Sequence, residues 1–239
     1  MNSLRSTLQA EIIKYKSKTN LLFLLLPMAL AGLMALQLQQ MTTQDPSRGN
    51  WAMFLQMTCA FWGAFLFPPF VIFWTTHVMT MERGKWKMLL VQGRSHQHFL
   101  LAKAAVLLAF FTLQSLVLLG GTFLLGHLLD LTGPVPAARS LLILQSVPAA
   151  LPILALQCLV CSYARGYLIP IIPGLVGHFI SLLGIQFQLG RFFPWSFVLE
   201  FLQIRGAAAQ TGWLYLSLAV LMGILLLWLT CAGFRKRFP

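Results

Sequence analysis

The sequence predicts an all-helical integral membrane protein of six transmembrane helices, preceded by an amphipathic helix lying at the membrane interface. Three observations carry that fold class. Of the 239 residues, 58% are hydrophobic and only 9% are charged, too little charge to cover a soluble domain. The apolar residues fall in runs of roughly 18 or more with almost no charge, the length of a bilayer-crossing helix. The runs are continuous rather than alternating. That favours helices over a closed barrel, the other structure that satisfies every backbone group in hydrocarbon.

Residues 1–19 form the first element. Leu4, Leu8, Ile12 and Tyr15 share one helical face, while Arg5, Gln9 and Lys16 lie elsewhere around it. Such a basic amphipathic helix lies in the headgroup plane. The spans follow at about 20–38, 54–78, 99–126, 140–162, 167–187 and 213–233. Ala29-Leu30-Ala31 has the look of a signal-peptide cleavage site, but Glu11 precedes it and the apolar run continues past it, so the first span is expected to stay uncleaved. Pro68-Pro69 interrupts the second span, Pro148 and Pro152 the fourth, and Pro170, Pro173, Gly174 and Gly177 the fifth; breaks are expected there. Between the fifth and sixth spans, 188–212 carries an apolar run, Phe192 to Leu202, too short to cross, with Phe192, Phe193 and Trp195 suited to an interface. A re-entrant or surface helix on the outer side is the expectation there. No repeat or soluble domain stands out, so 1–239 reads as one membrane domain.

The charge pattern orients the chain. The net charge is +12, which in a soluble protein would suggest nucleic acid. Here six spans would collect thirteen of the seventeen basic residues on one side: Arg5, Lys14, Lys16, Lys18, Arg83, Lys85, Lys87, Arg94, Lys103, Arg165, Arg235, Lys236 and Arg237. By the positive-inside rule that side, with both termini, faces the cytoplasm.

Catalytic patterns are missing. No HExxH, GxSxG or phosphate-binding loop occurs, and the five acidic residues Glu11, Asp45, Glu82, Asp130 and Glu200 lie outside the middles of the spans. His96 and His98 are two apart and diverge on a helix, so no metal is expected. Cys59, Cys158, Cys161 and Cys231 all fall in apolar runs and read as small packing residues rather than as disulfides. His178, Gln114, Gln157 and Gln186 lie in or near spans. They would line a polar path or bond across helices.

The concentrated chemistry is the cytoplasmic segment 80–98, within MERGKWKMLLVQGRSHQHFLLAK. Glu82 precedes a basic and aromatic run from Arg83 through Trp86 to Lys87, then Leu89-Leu90, then Gly93 and Arg94. Such an element suits docking to a partner groove, with charges setting register, or snorkelling against anionic lipid.

Three stretches carry a family resemblance: AEIIKYKSKT at 10–19 followed by a span holding Pro27, FWGAFLFPPF at 61–70, and the charged segment with Glu82, Trp86, Leu89, Leu90 and Lys103. The chain resembles the membrane subunits of ABC exporters of the second type, and within them looks most like lantibiotic-immunity permeases. In that family a proline often precedes the third span, whereas Val91-Gln92-Gly93-Arg94 has none. The resemblance implies that 1–19, with Glu11, Lys14 and Lys16, is an elbow helix. It implies that Glu82, Arg83, Trp86, Lys87, Leu89, Leu90 and Arg94 form a coupling helix for a separate cytoplasmic ATPase. That subunit, in two copies, would bind ATP and Mg; this chain would bind no cofactor and have no catalytic site. A second permease, identical or homologous, and an amphipathic cargo (a peptide antibiotic, a drug or a lipid) are implied as well, all in a bacterial cell membrane. An intramembrane enzyme and a non-transporting scaffold or sensor are the other readings.

Overall fold

A computed structural model describes residues 2–14, 18–81, 96–164, 166–186, 193–198, 202 and 209–237. The regular elements among the described residues are all helical: α1 (Asn2–Lys14), α2 (Lys18–Gln44), a 3₁₀ turn (Pro46–Arg48), α3 (Trp51–Phe61), a π-helical turn (Trp62–Leu66), α4 (Phe67–Met81), α5 (His96–Leu128), α6 (Ala137–Ala149), α7 (Leu151–Tyr163), α8 (Leu168–Gln186) and α9 (Ala209–Arg237). Among them the only β pairing is one isolated bridge, Asn50 to Thr132.

Among the described residues, five stretches are long and apolar enough to cross a membrane: Phe23–Gln44, Trp51–Met81, His98–Leu128, Ala137–Tyr163 and Gly212–Gly233. The predicted fifth span appears as the shorter apolar helix Leu168–Gly184. The first helix runs well past the predicted end at 38, through a glutamine- and threonine-rich turn. Thr42 and Thr43 fold their hydroxyls back onto the carbonyls of Gln39 and Gln40 (2.8 and 2.6 Å), so their polar groups are satisfied within the helix.

Two of the three expected breaks are present, in the second and fourth spans; the break expected in the fifth is not, since α8 runs unbroken from Leu168 to Gln186 with Pro173 inside it. The second span is not one α-helix: a π turn sits just before Pro68-Pro69. The Pro68 ring crowds the carbonyl four residues back, so the turn widens and Phe67 N–H donates to Trp62 O, five residues back. The fourth span is divided at Ala150 between α6 and α7, with Pro148 before it and Pro152 after it.

An aromatic ladder ties the middle together. Phe67, Phe70 and Trp74 recur on one face of α4 and meet α5. Trp74 stacks on Phe70 (5.6 Å between centroids) and on Phe110 (5.3 Å), and Phe23 of α2 lies 4.7 Å from Trp74. On the other side α9 packs along α7, and Thr230 of α9 donates its one hydroxyl hydrogen to Leu226 O in its own helix (2.7 Å), with Ala155 O of α7 at 3.4 Å as the alternative acceptor. The expected re-entrant segment 188–212 is described at 193–198 and 202 alone. There Phe197, Val198 and Leu202 are buried, and Trp195 covers Gly177 of α8.

Candidate functional site

One end of the bundle is built around an ion pair. Lys103 falls on the buried stripe of α5, between Phe99 and Leu100 on one side and Leu107, Phe110 and Phe111 on the other. That position draws its ammonium into a helix seam instead of toward water. There it meets Glu11 of α1, Nζ to Oε2 3.1 Å, with side chains only 1% and 3% exposed. The Phe99 ring lies 4.9 Å from the same nitrogen, so the ring's negative face adds to the carboxylate.

The orientation of α1 differs from that of an ordinary surface helix. Its inward residues are Thr7 and Glu11, one turn apart and both buried, while Ile12 and Ile13 face out at 49% and 65% exposure. Among the described side chains of α1, polar Thr7 and Glu11 meet the protein, while Gln9, Ile12 and Ile13 meet the surroundings. A charge so buried is tolerated because its partner is there; removing either partner of a buried pair costs about 3–5 kcal/mol.

The charged segment connects to this pair. α4 ends at Met81 and α5 begins at His96. Glu82, Arg83, Trp86, Lys87, Leu89, Leu90 and Arg94 fall between them, outside the described residues. Lys103 lies seven residues into α5, roughly 10 Å along the axis from its start. The segment thus runs directly into a helix that is pinned to α1 near its base. Lys14 is the last residue of α1, and Lys16 lies outside the described residues.

The polar residues inside the spans sit in separate seams. Gln114 of α5 donates from Nε2 to the Phe23 carbonyl of α2 (3.1 Å). That carbonyl has lost its helical donor, because residue 27, four positions on, is proline. His178 of α8 reaches the Ala64 carbonyl at 2.8 Å. A carbonyl only accepts, so Nε2 carries the proton. Ala64 is deprived in the same way: the α donor would come from Pro68 and the π donor from Pro69. Two buried side chains therefore satisfy two carbonyls freed by prolines in neighbouring helices. Gln157 of α7 donates to Thr76 Oγ1 of α4 (2.6 Å) and to the Pro170 carbonyl of α8 (2.8 Å). Gly174 permits this approach, since a Cβ there would lie 2.6 Å from Ile72 Cγ2 and 2.9 Å from Gln157 Oε1. The side chain of Gln186 lies outside the described residues. His178 Nδ1 and Gln114 Oε1 have no hydrogen-bond partner among the described residues.

Pairing between Glu11 and Lys103 was not legible in the sequence, although both residues stood out singly. The available signal was that each is the odd residue of its stretch: the one acid among the bases of 1–19, and a lysine inside an apolar run. Thr76, the hydroxyl that binds Gln157, gave no signal. Among the described residues no group of His, Cys, Asp or Glu could hold a metal ion. All four cysteines are free thiols and buried.

A family model described as ABC-2 family transporter protein matches residues 7–181, well over half of the chain, from within α1 to within α8. Neither a curated protein nor a solved structure matches the chain.

Proposed function

The chain belongs to the ABC-2 family of transporter proteins, and from that premise we propose that it is the membrane-spanning permease subunit of an ATP-driven exporter. ATP and Mg belong to a separate cytoplasmic ATPase, present in two copies. Residues 82–94, with Glu82, Arg83, Trp86, Lys87, Leu89, Leu90 and Arg94, are its docking element. A second permease, identical or homologous, completes the transporter. The cargo is amphipathic, of the peptide-antibiotic class in a lantibiotic-immunity role or else a drug or lipid, and it is moved out of the membrane or cell. His178, Gln114, Gln157 and Gln186 are the first residues to test for a transport path.

The observation that carries this reading is the Glu11–Lys103 pair. A motor pushing on 82–94 moves the start of α5, and a buried ion pair transmits that movement to α1 without slack, because partial separation would strand two charges. In this reading α1 is the elbow helix on the cytoplasmic face of a bacterial membrane. α8, nineteen residues or roughly 28 Å long, is the sixth crossing. Co-purification tests the proposal. An ABC ATPase is expected to come down with the tagged chain, and alanine at Glu82 and Trp86 is expected to release it; absence of any such ATPase overturns the reading. Orientation is tested separately with Ser47→Cys, an exposed position between α2 and α3. It should react with an impermeant maleimide added outside intact cells.

A further inference from the structure

At the opposite end of α5 from Lys103, about 40 Å along the helix, a cleft of about 350 Å³ opens between the end of α2 and the end of α5. Leu129 and Leu131 supply apolar walls, with the buried Leu38 behind them, and Gln39, Thr42 and Asp130 supply polar ones. The volume lies in the range of small-molecule sites. The walls are held by a backbone clasp: Thr132 N–H donates to Gly49 O (3.0 Å) and Trp51 N–H to Thr132 O (3.2 Å). The cleft is therefore shaped before anything enters it.

Asp130 is a costly choice for its position. The chain leaves α5 through a Schellman turn, in which Leu131 N–H bonds Gly126 O and Asp130 N–H bonds His127 O. The residue at Asp130 must then be left-handed, and its φ is +49°. Glycine is the usual occupant there. A carboxylate at this place also faces the negative end of the helix dipole. Glycine would hold this turn without a side chain and the dipole disfavours an anion here, so an aspartate, though it tolerates the left-handed region, is not required by the turn; among the described residues no hydrogen bond or ion pair holds its exposed side chain. An outlier of this kind beside a preformed cleft is the pattern expected of a binding group.

We propose that this cleft binds an amphipathic organic cation, with Asp130 taking the ammonium or guanidinium and Leu129 and Leu131 taking the aliphatic part. The exporter reading supplies only the side, the outer face. Binding itself needs neither ATP nor a partner ATPase, so it stands or falls apart from that reading.

The test is equilibrium binding of octylguanidinium to the full chain in nanodiscs of phosphatidylcholine. Saturable binding is expected, weakened by added salt and not displaced by octanol. Asp130→Asn keeps a side chain that tolerates the left-handed backbone and removes the charge; it should weaken binding at least about tenfold. Repeating the measurement with phosphatidylethanolamine in the nanodisc separates the sources. Loss of probe binding assigns the site to a lipid ammonium headgroup, and unchanged binding assigns it to a free cation; either outcome supports the site. Absence of saturable binding in phosphatidylcholine, or equal affinity in Asp130→Asn, overturns it.

Discussion

Two ion pairs in this protein have nearly the same length and very different surroundings. Glu11 and Lys103 meet at 3.1 Å in a helix seam, with 3% and 1% of their side chains exposed. Asp45 and Arg48 meet at 3.2 Å on the loop between α2 and α3, with 45% and 53% exposed. Distance alone would rank them equal. Burial separates them, because water screens the surface pair and re-solvates either ion when its partner leaves, whereas burial keeps water from replacing the partner of Glu11 or Lys103. The buried pair joins two helices ninety-two residues apart in sequence. The exposed pair joins two residues of one turn, where Ser47 already binds the same carboxylate.

The sharpest way to break the comparison is to remove one buried partner. Lys103→Met should destabilise the protein by about 3–5 kcal/mol, read as the unfolding midpoint in mixed micelles. Adding Glu11→Met should recover most of that loss, since a buried pair replaced by apolar residues is often neutral. If the single variant is as stable as the parent, the seam is wetter than the structure shows.

Next in size come the carbonyls freed by proline. Gln114→Leu should cost about 1–3 kcal/mol by leaving Phe23 O unsatisfied. In a Pro27→Ala background the helix regains its own donor, and the same substitution should become nearly silent. Pro68→Ala does not restore His178→Leu as fully, because Ala64 lies in a π turn where Pro69 also lacks a donor. A double-mutant cycle measures each coupling. Gly174→Val belongs to a similar range, about 1–3 kcal/mol, by overpacking Ile72 and Gln157.

The smallest effect is expected at the exposed pair. Arg48→Ala should leave the unfolding midpoint unchanged within error. The Asp45 carboxyl is held below its usual value of 3.8, first by the Ser47 hydroxyl, then by the Ser47 N–H and by Arg48. A lowered folded pKa gives stability that is present above the usual value and lost as pH falls through the lowered one. Melting curves between neutral pH and about pH 5 should therefore show no change with pH that traces to Asp45, its contribution being constant there and lost only below pH 3.8.

Local pattern made much of the fold legible. Long apolar runs gave the helices, and α1 formed as a separate helix from a segment read as amphipathic. The proline positions located the π turn and the division at Ala150, because a missing N–H acts within one turn of itself. Helix ends were less accurate. Polar residues such as Gln39 and Thr42 mark where hydrocarbon is expected to end, while the backbone ladder carries on to Gln44. The site was legible as a list of residues and not as an arrangement. His178 and Gln114 stood out as polar residues in apolar runs, but the carbonyls they reach lie on other helices.

By itself, then, the sequence determined a helical membrane protein and the interruptions by proline in its second and fourth spans, all from interactions reaching no further than a helical turn or a bilayer's thickness. Tertiary structure alone decided which polar residue answers which proline, that Glu11 faces inward while Ile12 and Ile13 face out, and that Lys103 is buried against a partner ninety-two residues away. The physical reason is that an unsatisfied group announces itself locally, by a missing donor or a charge in an oily run. Its partner is chosen by helix packing, which depends on the whole set of seams at once.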